Sequence, residues 1–215
     1  MTMLNMRIMS LGEPGRPLCH AAGAHYTETT ALPQRKVRIL FISPRQCLPT
    51  RSGARLREYH FLRSLAERAE VTYLHFADPG QPALTRKDLP FCRGVEAIPK
   101  PAAYGALKMA RGIVGRSPLP VLNYTSDEMS RAVARLTAGA ANFDLVHLDS
   151  IHMIRYAGSS ARVVYDWHNI ESEALRRYSA TVASRPRRWY AKQTAAKLEA
   201  LEGEILRNAF GHVVC

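Results

Sequence analysis

The chain has 215 residues, 47% of them hydrophobic, enough for one generous domain with a real core, so disorder is not the default reading. No apolar run reaches the ~18 residues that a membrane-spanning helix needs, and Cys19, Cys47, Cys92 and Cys215 have neither C-x-x-C spacing nor a histidine at ligand spacing, which argues against structural zinc and a disulfide framework. A formal charge of +12 and an isoelectric point near 10.0 imply an anionic partner: nucleic acid, phospholipid or a phosphorylated substrate.

Residues 1–35 are broken by Gly12, Pro14, Gly15, Pro17, Gly23 and Pro33 and sustain no period, so a disordered extension is expected there. Gly12 to Gly15 also interrupts the start before the apolar region of a secretory signal can form, which points to the cytoplasm. Order is expected from residue 37. The run 37–42 is short, β-branched and continuous, as a strand buried on both faces should be. Ser43-Pro44 ends it, and a loop with two prolines leads to Gly53. A helix follows, with Leu56, Tyr59, Leu62 and Leu65 on its inner side and Arg55, Arg57, Glu58 and Glu67 on other faces. Residues 71–76 form a second strand, and strand–helix–strand in this span is a βαβ unit of a parallel sheet.

Residues 78–90 read as a loop, 95–98 as a third strand and 104–114 as a short helix. Residues 115–120 form another loop. Ser126 is placed to cap a helix running to about Thr137, with Asp127 and Glu128 in the first turn, where the helix dipole favours acids. Strands are expected at 143–148 and 162–165. A long helix over 186–208 has Tyr190, Thr194, Leu198, Leu201 and Ile205 as its buried stripe, with Gly211 as its C-cap, and 212–215 begin another strand. Alternation of about six strands with helices predicts an open, doubly wound α/β domain with a mainly parallel sheet.

Ligands bind beyond the carboxyl ends of strands in such sheets. Three ends carry polar or permissive residues. The first holds Arg45, Arg51, Ser52 and Gly53 before a helix N-terminus, where backbone N–H groups can meet a phosphate; a plain turn glycine is the simpler reading. The second holds Asp149 between His147 and His152; buried, hydrogen-bonded histidines fit better than a metal site, and no metal is expected. The third crowds Asp166, His168, Asn169, Glu171 and Glu173 together, with His168 as the candidate catalytic group. Trp167 is either core or a cleft wall, and the two glutamates are either site residues or the favoured start of a helix. No G-x-S-x-G elbow supports a serine hydrolase.

Basic residues are bunched in two windows without acids. Residues 97–126 hold Lys100, Lys108, Arg111 and Arg116, and residues 174–198 hold Arg176, Arg177, Arg185, Arg187, Arg188, Lys192 and Lys197. Either both are solvated faces, or Lys108, Arg111, Arg187 and Arg188 belong to an anion-facing surface such as a membrane.

The strand 37–43, the loop reaching Ser52-Gly53 and the leucine-spaced helix with Arg57 resemble the opening of the group 1 glycosyltransferases of the GT-B fold. Phe143-Asp144-Leu145-Val146-His147-Leu148 is similar to a strand of that family, Asp166-Trp167-His168-Asn169-Ile170-Glu171 to its strand-end histidine segment, and residues 202–215 to its helix-to-strand passage. The resemblance covers residues 37–215. It implies a Rossmann-like acceptor-side half that ends before a donor-binding domain, with a nucleotide sugar as substrate and no separate cofactor. Ser52, Gly53, Arg57, Asp149 and Asn169 would then serve donor or acceptor, and His168 would lie near the transferred sugar. The implied acceptor is a glycan or lipid-linked sugar of bacterial cell-surface or exopolysaccharide synthesis, handled on the inner face of the membrane, rather than nucleic acid. The 215 residues alone would transfer no sugar. A stand-alone Rossmann-like module binding a nucleotide or nucleic acid is the competing expectation.

Overall fold

The computed structural model describes residues 35–102, 105–138, 143–158 and 162–214. The expected extension, apart from Arg35, lies outside these residues, as does the expected helix start at Tyr104. Six strands form one sheet: β1 (Val37–Ser43), β2 (Ala69–Ala77), β3 (Gly94–Pro99), β4 (Leu145–Asp149), β5 (Val163–Trp167) and β6 (Gly211–Val214). All neighbours run parallel, in the order β3-β2-β1-β4-β5-β6. Helices α1 (Gly53–Arg68), α2 (Ala106–Val114), α3 (Leu119–Leu122), α4 (Asp127–Thr137), α5 (Glu171–Thr181) and α6 (Arg185–Asn208) complete the unit, with a 3-10 turn at Ile151–Tyr156. This is the doubly wound, Rossmann-like arrangement that the alternating pattern predicts.

The pleat of β1 divides the core. Ile39 and Phe41 point to the layer of α1, among Leu62, Val71, Tyr73 and Leu89. Leu40 and Ile42 point the other way, to Leu74, Phe76, Met129, Leu148, Tyr165 and Leu198. Both faces of β1 are therefore covered, which is why its sequence is continuously apolar rather than alternating. Leu62 is fully buried in the first layer, and truncating such a residue to alanine costs about 2–5 kcal/mol.

Several local expectations need correction. Glu58, expected on a polar face of α1, is 1% exposed, because it lies under the loop after β1. Leu56, expected on the inner stripe, is exposed, and Leu62 carries the burial instead. The expected loop 115–120 contains the start of α3, with Pro120 in its first turn, where proline costs no hydrogen bond. Gly211 is not a helix cap: α6 ends at Asn208 with Ala209 in extended conformation, and Gly211 opens β6. Trp167 is core, on the face of α6, and its Nε1 donates to His212 Nδ1 at 3.1 Å.

Capping explains two helix starts. Ser126 Oγ accepts from Met129 N at 3.3 Å, with Asp127 and Glu128 in the first turn, as expected. Ile170 offers α5 no side-chain cap, so a distant residue supplies one. Buried Glu202 of α6 accepts from Ser172 N at 3.1 Å and from Ser172 Oγ at 2.5 Å. A carboxylate at a helix start meets both the orphan N–H groups and the dipole. Glu202 thereby locks α5 to α6 beside the carboxyl end of β5.

Candidate active site

Strands β1 and β4 are neighbours, but the chain leaving β1 returns through α1 on one face while the chain leaving β4 crosses on the other. A crevice opens at this switch point, beyond the carboxyl ends of the strands. A cavity of about 320 Å³ lies there, lined by Arg45, Gly53, Ala54, Arg57, Ser150, His152, His168, Asn169 and Glu171.

Its floor is a row of alternating charges. Asp149 ends β4 and Asp166 lies near the end of β5, in register with each other and both about 1% exposed. Asp149 Oδ2 takes Arg45 Nη2 at 3.1 Å and lies 3.3 Å from Ser43 Oγ, and its Oδ1 holds His168 Nε2 at 2.5 Å. Asp166 Oδ1 accepts from Arg57 Nη2 at 2.8 Å, and its Oδ2 faces His147 Nε2 at 3.5 Å. Arg57 Nη1 also lies 3.4 Å from Nε2 and 3.5 Å from Nδ1 of His168. The two guanidinium groups, with the His168 ring beside them, therefore form a wall seated on two buried carboxylates. The donor atoms of Asp149, Asp166 and His168 lie within 4.8 Å of one another, as metal ligands would, but guanidinium groups already stand on both aspartates.

Burial alone would push the Asp166 carboxyl up. The His147 ring facing it and the hydrogen-bonded guanidinium of Arg57 outweigh burial and hold the group below its ordinary range. Glu58 behaves oppositely. Its burial and the nearby charge of Asp149 raise it to about 8, against the opposing pull of Arg45 and the hydrogen bonds of Ser43 and Tyr73. Tyr73 Oη donates to Glu58 Oε1 at 2.7 Å, and Arg45 Nε lies 3.4 Å from Oε2. At neutral pH this acid is mostly protonated, which leaves Asp149 as the carboxylate that pairs with Arg45. Burial and the charges of Arg45 and Lys100 lower His152 to about 4, leaving a neutral ring.

Ser150 is strained. Its φ is 92° and its ψ 159°, a region that side chains normally avoid and glycine tolerates. The turn is retained by three bonds: Ser150 N donates to Leu148 O, Ser150 Oγ accepts from His152 N at 3.3 Å, and Oγ lies 2.7 Å from His152 Nδ1. The strain holds the Ser150 side chain at the cleft.

Helix α1 points its first turn at the same space. Ser52 caps it, accepting from Arg55 N at 3.4 Å, and no acid lies in its first turn to offset the positive end of the helix dipole. A Cβ added at Gly53 would meet nothing within 4 Å, so protein packing does not require the glycine; its effect is to leave room at the mouth.

Of the residues singled out in the sequence, Gly53, Arg57, His168 and Asn169 line the cavity, and Asp149 lies beneath it. Ser52 acts as the cap. Lys108, Arg111, Arg187 and Arg188 stand on α2 and α6 and do not line it. His147 is a buried histidine stacked on Phe41 at 4.3 Å. Arg45, His152 and Asp166 were expected at the three strand ends but without a role of their own, and Ser150 was not singled out. An aspartate at or next to the end of β4 and β5, in DS-x-H and DWHN, is the signal that marks the two anchors. No protein-family model and no curated protein matches the chain.

Proposed function

We propose that this chain is the acceptor-side half of a nucleotide-sugar-dependent glycosyltransferase of the group 1 type, working on a glycan or lipid-linked acceptor of cell-surface or exopolysaccharide synthesis. The reading rests on the cationic cleft at the switch point, where Arg45, Arg57, His168 and the start of α1 converge. Loss of a nucleoside diphosphate concentrates negative charge on the leaving group. Fixed donors aimed at that charge lower the barrier without reorganising during the reaction. A guanidinium has five N–H donors, more than one carboxylate takes up, so an arginine seated on an aspartate still suits a diphosphate. Asp149 orients His168, which we place against the transferred sugar, and Asn169 and Glu171 flank it as hydroxyl partners. A second, donor-gripping domain would complete the cleft.

Calorimetric titration with uridine and guanosine diphosphate sugars tests the assignment. The expected result is diphosphate-dependent binding that the uncharged nucleoside does not reproduce and that Arg45→Met weakens by about 10-fold or more, the range of a charge-assisted hydrogen bond. Equal binding of the nucleoside and its diphosphate sugar, or no effect of Arg45→Met, would count against the proposal. In the complete enzyme, His168→Ala is expected to lower kcat by about 10²-fold or more, a far larger effect than the one on stability.

A further inference from the structure

Helix α2 is turned inside out. A surface helix ordinarily buries its apolar stripe and shows its charges to water. At 100° per residue, Ala106, Leu107, Met109, Ala110, Ile113 and Val114 fall within one arc of about 160°. All six are exposed, Leu107 at 64% and Val114 at 89%. The buried residue is Gly112, where an added Cβ would lie 3.1 Å from Leu119 Cβ. Cations hold this orientation from the protein side. Lys197 Nζ of α6 donates to the carbonyls of Gly112 and Ile113, both at 2.7 Å, and Lys108 Nζ donates to Ala102 O at 2.7 Å. Arg111, at the edge of the apolar arc, and Arg116, just past the helix end, remain exposed, and residues 97–126 contain no acid.

We propose that α2 is a membrane-docking element, with its apolar arc entering the headgroup boundary of an anionic bilayer and the exposed Arg111 and Arg116 meeting the lipid phosphates. The dimensions favour a bilayer over a protein partner. Nine residues make a helix about 13 Å long and about 10 Å wide, a face well short of the roughly 800 Å² per partner in a stable protein interface. An interfacial helix needs only this combination of apolar face and cationic flank. Attraction to anionic lipid then adds to the apolar insertion, with every basic group near the surface contributing. The inference stands independently of the reaction proposed for the cleft.

Sedimentation of the 215-residue chain with vesicles of phosphatidylcholine alone, and of phosphatidylcholine mixed with phosphatidylglycerol, decides the matter. Binding is expected only to the mixed vesicles, and it should weaken from about 0.01 M to about 1 M salt as the Debye length falls from about 30 to about 3 Å. Leu107→Asp with Val114→Asp should lower the partition coefficient by about 10-fold or more, as should Arg111→Glu with Arg116→Glu. Leu206→Asp, at an exposed apolar residue of α6, should leave it unchanged. Equal binding to both vesicle types, binding to neither, or wild-type binding by the Leu107/Val114 variant would overturn the proposal. So would a dimer in solution that the Leu107/Val114 variant dissociates. Diphosphate binding measured on the same variants separates a failed docking surface from a failed cleft, since none of these residues lines the cavity.

Discussion

Replacing Glu58 by glutamine tests whether a neutral acid lies beneath the cleft. The side chain is 1% exposed, and burial with the charge of Asp149 raises it from an ordinary 4.5 to about 8. A raised folded-state pKa means that the native chain keeps a proton that the unfolded chain has lost. The associated stability is complete below pH 4.5 and disappears as pH rises through 8. At about 1.4 kcal/mol per pH unit, the group accounts for a loss of about 5 kcal/mol over that window, about 3 of them by pH 7. Glutamine has nearly the same shape and does not titrate. Urea unfolding of wild type and Glu58→Gln from pH 4.5 to 8 is therefore expected to give curves that start together and diverge, the variant being the more stable at pH 7 by about 3 kcal/mol. Other titrations, including that of His152, occur in both proteins and cancel in the difference. Parallel curves would refute the reasoning and show Glu58 ionised against Arg45. A variant that loses stability relative to wild type as pH rises would do the same.

Two further substitutions probe the floor of the cleft. Arg57→Met removes the guanidinium from nearly buried Asp166 and is expected to cost about 1–3 kcal/mol at pH 7, toward the lower end because Arg57 is 28% exposed. Because Asp166 is held below its ordinary 3.8, its contribution is present above that pH and lost below it, so the two urea midpoints should converge in acid. At Ser150, alanine keeps the strained φ of 92° and deletes the hydroxyl that caps the following turn, whereas glycine relieves the strain. Ser150→Gly should therefore melt above Ser150→Ala, by about 1–3 kcal/mol in thermal denaturation; the reverse order would show that the backbone there is unstrained.

The alternation of strands and helices, the boundaries near Val37, Ser126 and Asn208, and the parallel character of the sheet were all written locally. Continuous apolar runs, capping residues and prolines act over a few positions, so a reader of the chain can find them. The same holds for His168 and Asp149, whose polar groups follow directly on buried strands. What each side chain then meets was decided by the tertiary structure. Arg57 and Asp166 are 109 residues apart, and Arg45 and Asp149 are 104. They pair only because β1 lies beside β4, and β4 beside β5, in the final order. Periodicity assigned Glu58 to a polar face because it reports position around a helix axis, and the loop that buries this residue comes from outside the helix. The outward arc of α2 has the same origin: its apolar period is visible in the chain, but Leu119 packed on Gly112 and Lys197 reaching over from α6 turn that arc toward solvent.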